Sequence, residues 1–455
     1  MDGLLEEREA SIALKAADGE KAKTVECGKA SLSGAVSQRA CVFCGARVVL
    51  NPITDAFHLV HGPIGCASYT WDIRGSLSSG SELYRRSFST DLSERDVVFG
   101  GIPKLTAAVD EIVAKFRPPL IFIYSTCLVG VIGDDVDSVC RDAERRHGIR
   151  VINVKAPGFA GHKAMGYRLA CEAIMDVLQR DPPERGKPQG VNILGDYNLA
   201  GEMWIIKGYF KGIGIPVVST FTGDSSYASM RKANSAALNV VQCAGSMMYL
   251  ARSMEERFGI PFVKASFFGL EDTRQALLGA SDLLGLPGAR EKALAFTKRE
   301  SERVKAALAP YLPKLSGKKA AIFVGGGFKA ISLIRQFREL GMETVMVGTQ
   351  TGQREDYEII QSLVGPGTVV LDDANPSELE RFMRGKGADI LVGGVKERPL
   401  AYKLGIAFCD HNHERKEPLA GYDGCLNFAR EINLSINSPV WGELRGSKDP
   451  FRDAA

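Results

Sequence analysis

The sequence predicts an α/β fold of three doubly wound, Rossmann-like domains with parallel sheets. Short apolar runs alternate with helical stretches from about residue 40 onward, which is the pattern of parallel strands joined by crossover helices. A length of 455 residues leaves room for about three domains at roughly 150 residues each. The 49 glycines are typical of a chain with many strand-to-helix turns.

The predicted strands fall into three blocks along the chain. They are 119–124 and 150–154 in the first block, 191–195, 215–219 and 237–241 in the second, and 319–325, 343–347, 368–371, 389–392 and 406–409 in the third. Predicted helices lie at 4–16, 134–147, 162–179 and 290–312, and two more begin near residues 202 and 245. Ligands of such sheets bind at the carboxyl ends of the strands, so the residues after each strand are the informative ones.

The blocks and one linker divide the chain into four segments. The linker, 181–190, is rich in proline, glycine and charge, a composition typical of a boundary. The segments are an N-terminal arm at 1–36, a first α/β domain at 37–189, a second at 190–316 and a third at 317–455.

The charge balance and the hydropathy pattern exclude several classes of protein. The 57 basic and 54 acidic residues give a net charge of +3, whereas a dedicated nucleic-acid binder usually carries a basic excess. No run of about 18 apolar residues occurs, and the charged N-terminus has no apolar segment typical of a signal peptide. We therefore expect a cytoplasmic protein whose partners include neither nucleic acid nor a membrane.

Ten cysteines need an explanation other than disulfides in that compartment. Cys41, Cys66, Cys127 and Cys243 stand out because each lies near a predicted strand end, a helix start or a glycine-rich loop. Backbone N–H groups and the helix dipole favour a thiolate at such places, where an iron–sulfur cluster can be held. Taken singly, each of these cysteines is more often a small buried apolar residue.

Two further patterns are weaker signals of metal chemistry. Cys41 and Cys44 form a C-x-x-C pair, which suits a redox dithiol or two metal ligands, but no second pair follows at zinc-ribbon spacing. His58 and His61 could bind a metal together, although the glycines and the proline that follow favour a tight loop. The cysteines interpreted as structural are Cys27, Cys140, Cys171, Cys409 and Cys425.

Basic residues after two strands of the third block suit an anionic ligand. Gly326 lies in a glycine turn, 325–327, that leads from a strand into a helix carrying Lys329. Such a turn can bind an anion through its backbone N–H groups. Lys396 and Arg398 follow another strand. The glycine spacing is not that of a nucleotide-binding loop, and the commoner role of Lys and Arg is solvated surface charge.

Six segments together resemble the nitrogenase component 1 superfamily and, within it, the scaffold subunits on which the iron-molybdenum cofactor is assembled. The segments are 37–45 (SQRACVFCG), 58–66 (HLVHGPIGC), 71–75 (WDIRG), 133–136 (GDDV), 195–198 (GDYN) and 409–415 (CDHNHER). The resemblance extends from about residue 37 to Trp441, nearly the whole chain. It implies a nitrogenase component 1-like arrangement of the three domains.

The resemblance also implies two cluster sites. Cys41, Cys66 and Cys127 match the cysteines that such subunits contribute to a cluster shared with a partner subunit. In a scaffold this is expected to be a 4Fe-4S cluster that a partner cysteine completes. Cys243 matches the cysteine that binds the terminal iron of the cofactor or of its iron-sulfur-carbide precursor. The candidates to steady the anionic precursor or homocitrate are Gly326, Lys329, Lys396 and Arg398.

One departure from the superfamily's pattern separates a scaffold from a catalyst. The catalytic nitrogenase subunit has a molybdenum-binding histidine before a Gly-Phe-Asp-Gly segment, whereas this sequence has Ala420 before 421–424 (GYDG). A methyl group cannot ligate a metal, which suits a site that receives and releases its cluster. Two alternatives stay open. One is the catalytic subunit of a nitrogenase-like reductase such as methylthio-alkane reductase; the other is an α/β binding protein whose cysteines are all structural.

A set of partners follows from the same resemblance. A NifN-like subunit pairs with such a chain in an α2β2 heterotetramer, and a NifB-like enzyme donates the precursor. A NifH-like reductase delivers electrons while molybdenum and homocitrate are added, before transfer to apo-nitrogenase or a carrier. The sequence leaves open which heterometal is inserted and what Cys44, His411 and His413 do.

Overall fold

The computed structural model describes residues 8–17, 23–27, 40–69, 77–80, 86–180, 189–412 and 415–441. Within these ranges short parallel strands alternate with helices, so the predicted α/β fold with parallel sheets is confirmed. The strands are β1 Ile12–Leu14, β2 Ala56–His61, β3 Ser87–Ser89, β4 Leu120–Ser125, β5 Arg150–Lys155, β6 Val191–Asp196, β7 Val217–Thr222, β8 Leu238–Val241, β9 Phe262–Lys264, β10 Lys319–Val324, β11 Glu343–Thr349, β12 Val369–Asp372, β13 Ile390–Gly393 and β14 Ala407–Asp410. The predicted motif 71–75 and His413 lie outside the described residues.

Helices follow most of these strands, as crossover connections require. They span Val42–Leu50, Ile64–Tyr69, Glu94–Phe99, Ile102–Phe116, Cys127–Ile132, Val136–His147, Lys163–Arg180, Glu202–Gly212, Tyr227–Met230, Ala244–Phe258, Leu270–Leu284, Ala289–Leu308, Leu312–Leu315, Gly327–Glu339, Arg354–Leu363, Pro376–Lys386, Arg398–Lys403 and Gly421–Ile436. In the part of the chain described here, none of the helices has both the length and the apolar character needed to cross a bilayer.

The chain divides into two compact units. The two-sheet unit comprises Arg39–Ala265 and Ala276–Leu294. Its two four-stranded sheets have the orders β3-β2-β4-β5 and β7-β6-β8-β9, and all of their strand pairs are parallel. The sequence-based borders of three domains stay a prediction.

The one-sheet unit comprises Met1–Gln38, Ser266–Gln275 and Ala295–Ala455. Its six-stranded sheet has the order β1-β12-β11-β10-β13-β14. Strands β10 to β14 pair in parallel, whereas β1 joins the edge of β12 in the antiparallel direction. The chain leaves β10 toward β11 on one side and places β13 on the other, so the carboxyl ends of β10 and β13 mark a topological switch point.

The predicted N-terminal helix 4–16 is wrong over its described residues. Residues Glu9–Ser11 form a single 3-10 turn, and Ile12–Leu14 form β1. The buried Arg8 side chain donates to Glu378 Oε1 at 3.0 Å and to the Asp372 carbonyl at 2.7 Å. These tertiary bonds and the pairing with β12 override the local helix propensity.

Two glycines allow a close helix crossing in the two-sheet unit. A Cβ on Gly45 would lie 2.1 Å from the carbonyl oxygen of Lys163, and one on Gly166 would lie 2.0 Å from that of Val42. The helices Val42–Leu50 and Lys163–Arg180 therefore touch backbone to backbone. Their apolar faces form one core with the face of the first sheet that carries Phe122.

We expect Gly166→Ala to destabilise the two-sheet unit, because the new methyl group has no room against the Val42 carbonyl. Overpacking of this kind costs about 1–3 kcal/mol, and urea titration would measure it as a loss in the free energy of unfolding. Gly208→Ala is the matched control, since a Cβ there meets nothing within 4 Å. It should raise that free energy by roughly 0.5–1 kcal/mol. Equal effects of the two substitutions would contradict the close crossing.

Candidate metal-cluster sites

Three of the predicted cysteines lie at the carboxyl edge of the first sheet. Cys66 is in the helix Ile64–Tyr69 that follows β2, and Cys127 is the first residue of the helix that follows β4. Cys41 directly precedes the helix Val42–Leu50 and forms an isolated antiparallel bridge with His162. Because parallel strands end at the same edge, residues distant in sequence meet there.

Two of these cysteines, Cys41 and Cys127, lie next to Gly158. Its backbone N–H donates to Cys127 Sγ at 3.0 Å. A Cβ on Gly158 would lie 3.0 Å from Cys127 Sγ and 3.4 Å from Cys41 Cβ. Gly158 was not among the residues predicted from the sequence. Its only signal there was its position after the strand β5, and a backbone N–H donor to sulfur is invisible in a sequence.

The thiol of Cys66 belongs to the same group. Burial raises its pKa, the Cys127 and Cys41 thiolates raise it further, and a hydrogen bond with Thr126 opposes the rise. The three sulfurs therefore lie within electrostatic range of one another. The repulsion favours the neutral thiol of Cys66, and a bound cation would reverse that preference.

Thr126 ties the loops that carry Cys66 and Cys127 together. The Thr126 hydroxyl and backbone N–H both donate to the carbonyl of His61, at 2.9 and 3.2 Å. A Cβ on Gly62 would lie 2.1 Å from Thr126 Oγ1. The glycine after β2 thus lets this hydroxyl approach, and the pattern His61-Gly62 has a packing reason.

His58 and His61 do not form a metal pair. They lie three apart on β2 and so point to opposite faces of the sheet. His58 Nδ1 is 2.8 Å from the Tyr124 hydroxyl. His61 lies between Thr90 Oγ1 at 3.0 Å and Asp134 Oδ2 at 3.1 Å. Burial lowers the pKa of both rings, and Asp134 opposes this only at His61, so both are neutral packing residues at pH 7.

The donor set fits an iron–sulfur cluster better than a single ion. Among the described residues, no three His, Cys, Asp or Glu side chains converge on one metal-ion position. A multi-iron cluster separates its ligating thiolates farther than one tetrahedral ion does. Cys41, Cys66 and Cys127 supply three of the four thiolates that such clusters use. These residues would hold the cluster, which would supply electron-transfer chemistry at this edge.

Cys243 forms a separate site at the end of β8. It precedes the helix Ala244–Phe258, and its side chain is partly exposed. Gly195 has a left-handed φ of +95°, and a Cβ there would lie only 2.6 Å from Cys243 Cβ. Asp196 accepts from Gln242 Nε2 at 2.9 Å and from the Asn198 backbone N–H. These contacts explain the motif 195–198, which holds the β6 end against Cys243.

The other cysteines of the two-sheet unit are structural in their surroundings. Cys140 and Cys171 are buried, as predicted, and burial raises the pKa of each thiol to about 12. Cys44 is buried in the helix that crosses at Gly45. Thiols of this kind are unreactive at neutral pH.

The candidate anion residues of the one-sheet unit fall into two groups. Gly326 precedes the helix Gly327–Glu339 at the switch-point strand β10. On that helix, Lys329 Nζ donates to the His411 carbonyl at 3.1 Å and lies 5.8 Å from the Phe268 ring centre. The helix N-terminus and the ammonium group make this strand end electropositive.

Lys396 and Arg398 both follow β13, but their side chains have different surroundings. Lys396 is exposed. Arg398 Nη2 lies 3.7 Å from Asp410 Oδ2, and the guanidinium group lies over the Phe408 ring. The Arg398 side chain also lines a cavity of about 830 Å³. Between them, Glu397 is buried and accepts from the Gly394 N–H at 2.8 Å. Burial raises the pKa of this carboxyl to about 7.

Ala420 is fully buried and directly precedes the C-terminal helix Gly421–Ile436. Its neighbours in the chain, Leu419 and Gly421, are buried as well, and the Gly421 N–H donates to the Phe267 carbonyl at 2.6 Å. The position that carries a metal-binding histidine in the family's catalytic pattern is thus part of an apolar helix start.

The family model of nitrogenase component 1 type oxidoreductases matches residues 41–437. The chain therefore belongs to the nitrogenase component 1 family. Its fold is similar to that of nitrogenase Cp1 in the solved structure at pH 6.5, with a TM-score of 0.89, 26% identity, and coverage of 99% of this chain and 98% of the other. The structure of the same protein at pH 5 gives a TM-score of 0.88 at 27% identity.

Within that family the chain is similar to several proteins that carry one name. It is 64% identical to the nitrogenase iron-molybdenum cofactor biosynthesis protein NifE of Clostridium pasteurianum, over 96% of both chains. It is 51% identical to the NifE protein of Methanosarcina barkeri, over 97% of both chains. The sequence-based resemblance to the iron-molybdenum cofactor biosynthesis members of the family is confirmed.

Removing the like charge of Cys127 should make Cys66 more reactive. In cluster-free protein at about pH 9, where ordinary thiols ionise, we expect Cys127→Ser to speed the alkylation of Cys66 by iodoacetamide, because the thiolate fraction of Cys66 rises when its pKa falls. Mass spectrometry of tryptic peptides follows the rate. Cys140 is the internal control and should stay unmodified in the folded chain. An unchanged Cys66 rate would show that the two sulfurs are not neighbours.

Proposed function

We propose that this protein is a NifE-like scaffold subunit for the biosynthesis of the nitrogenase iron-molybdenum cofactor. The observation that carries the proposal is the pairing of two kinds of thiol site in one unit. Cys41 and Cys127 lie at Gly158 with Cys66 at the same sheet edge, and a lone Cys243 lies at another strand end. The NifE relatives named above support the role. Ala420, which cannot ligate a metal, favours a site that releases its cargo.

The three-cysteine site holds, in this proposal, a 4Fe-4S cluster shared with a partner. Such a cluster uses four thiolates, so a NifN-like subunit of an α2β2 heterotetramer supplies the fourth. Apolar side chains at the same edge are exposed in the single chain: Ile64 at 56%, Val131 at 74% and Phe159 at 66%. An exposed apolar rim around an incomplete ligand set is what a partner subunit would cover.

Cys243 is the proposed attachment point of the cargo. An iron-sulfur-carbide precursor from a NifB-like donor binds there through its terminal iron. A NifH-like reductase then delivers electrons while molybdenum and homocitrate are added, and the product passes to apo-nitrogenase or a carrier. Cys41, Cys66 and Cys127 would hold the shared cluster, which would supply electron transfer. Gly326, Lys329, Lys396 and Arg398 are the proposed contacts to anionic parts of this cargo. We infer a cytoplasmic location from this reduced-thiol chemistry.

A nitrogenase-like reductase such as methylthio-alkane reductase is the competing function, because the matching family is one of oxidoreductases. The discriminating measurement uses the anaerobically purified pair of subunits with its reductase. Turnover of a small substrate favours the reductase. Maturation of apo-nitrogenase without such turnover favours the scaffold.

Cys243→Ala should remove the cargo and spare the shared cluster. We expect the complex to keep the iron and the EPR signal of the 4Fe-4S cluster, and to lose the remaining iron and the ability to mature apo-nitrogenase. One thiolate–iron bond is the proposed attachment, and metal–thiolate sites carry several kcal/mol of binding free energy. Cys66→Ala should instead remove the iron and the EPR signal of the shared cluster. Cys140→Ala should change neither the shared cluster nor the cargo. Full loading of the Cys243→Ala complex would refute the proposal.

Val131→Glu should weaken assembly with the partner subunit, since a carboxylate would have to be buried at the interface. The measurement is the molar mass of the co-expressed complex by size-exclusion chromatography with light scattering. Ile359→Glu is the matched control, because Ile359 is an exposed apolar residue of the one-sheet unit, 43% accessible. If both variants assemble as well as the unaltered protein, the interface lies elsewhere.

A further inference from the structure

Arg47 is a buried cation of the two-sheet unit that none of the proposed roles uses. It lies in the last turn of the helix Val42–Leu50, and only 2% of the residue is exposed. Its Nη2 donates to Ser87 Oγ at 2.9 Å, whereas Nε and Nη1 have no hydrogen-bond partner among the described residues. Ser87 belongs to the edge strand β3, so the Arg47 side chain reaches from the helix to the first sheet.

No carboxylate balances this charge in the part of the chain that the structure describes. The guanidinium carbon lies 5.9 Å from the centre of the Tyr124 ring, and the Tyr124 hydroxyl is 2.8 Å from His58 Nδ1. Burial raises the pKa of the phenol and lowers that of the imidazole. Both neighbours are therefore neutral at pH 7, and the positive charge of Arg47 is not cancelled by them.

The isolated charge costs folding free energy. Burial lowers the pKa of the Arg47 guanidinium, and Tyr124 and Cys44 oppose the fall. An arginine nevertheless stays protonated at neutral pH. Replacing buried charges by apolar groups of similar size is often neutral or stabilising. Since local rules of packing are broken mostly at functional sites, this residue is a candidate for a role other than folding.

Two segments of chain link Arg47 to the three-cysteine site. Cys41 directly precedes the helix and is six residues before Arg47, which corresponds to about 9 Å along the helix axis. Tyr124, over which the guanidinium lies, is three residues before Cys127 at the end of β4, or about 10 Å of extended chain. Tyr124 belongs to the apolar core against which Cys41 packs. Charges in such a core are screened much less than exposed ones.

We propose that Arg47 is a buried counter-ion that raises the reduction potential of the cluster held by Cys41, Cys66 and Cys127. The inference rests on the proposed function, because it takes these cysteines as the cluster ligands. A thiolate-bound cluster is anionic, and the gain of one electron adds a further negative charge. A fixed cation at this range therefore favours the reduced form. Arg47 acts through its field alone and does not touch the iron.

The test removes the charge in two ways. Arg47→Met keeps the length of the side chain, and Arg47→Gln keeps a donor for Ser87. The midpoint potential of the shared cluster is measured by EPR-monitored titration of the anaerobically isolated heterotetramer. We expect both variants to lower the ratio of reduced to oxidised cluster at a fixed potential by about tenfold, a shift of about −59 mV. A unit charge has this effect over roughly 12 Å at an effective dielectric constant of about 20. Arg47→Lys should keep the unaltered potential.

Arg168→Met is the matched control. It removes one positive charge from the helix Lys163–Arg180, which crosses the helix of Arg47, but the Arg168 side chain is 56% exposed. Water and salt screen that charge, so the potential should stay constant. Urea titration of the cluster-free chain is the second readout. Arg47→Met should keep or raise the free energy of unfolding, whereas loss of an arginine needed for folding would lower it.

The outcomes separate this inference from the scaffold function. An unchanged potential in loaded Arg47→Met and Arg47→Gln, or an equal shift in Arg168→Met, overturns the inference and leaves the scaffold function intact. If both neutral variants fold but lose the iron of the shared cluster while Arg47→Lys retains it, the counter-ion role is supported. Failure of the unaltered complex to bind a shared cluster overturns both.

Discussion

The backbone contact between two helices at Gly45 and Gly166 is the constraint on which the two-sheet unit depends. With no side chain at either position, the two helices meet carbonyl to Cα. Cys41 stands at the start of one helix, and Lys163, whose carbonyl meets Gly45, stands at the start of the other. The same contact that closes the core therefore fixes the position of a candidate cluster ligand. Tight packing of this kind leaves little freedom for either site to drift.

The strands that the sequence predicts are those whose burial is continuous and apolar. β4 and β5 are present within a few residues of their predicted ends. β4 is an almost uninterrupted apolar run, and β5 has Val151, Ile152 and Val154 between its polar residues. β2 was not predicted, since two histidines interrupt its apolar residues. Tyr124, Thr90 and Asp134 satisfy those rings inside the protein. A periodicity argument cannot include partners that lie 29 to 73 residues away in the chain.

Some residues of the candidate sites could be predicted from the sequence, and others could not. Cysteines carry their chemistry in their residue type, so Cys41, Cys66, Cys127 and Cys243 could be selected from the sequence. Gly158 and Thr126 could not, because their roles are a missing Cβ and a hydroxyl that spans two loops. Such residues become visible only when the strand ends are brought together. The supporting residues of a site are thus harder to predict than its ligands.

The short strand β1 has a consequence for the solution behaviour of the one-sheet unit. It pairs with β12 through Ile12, Ala13 and Leu14 and so satisfies the backbone groups at one edge of the six-stranded sheet. An uncovered edge of an apolar parallel sheet is a template for strands of other molecules. The buried Arg8 holds this cover in place through Glu378. Strand β1 therefore protects the one-sheet unit against edge-to-edge aggregation.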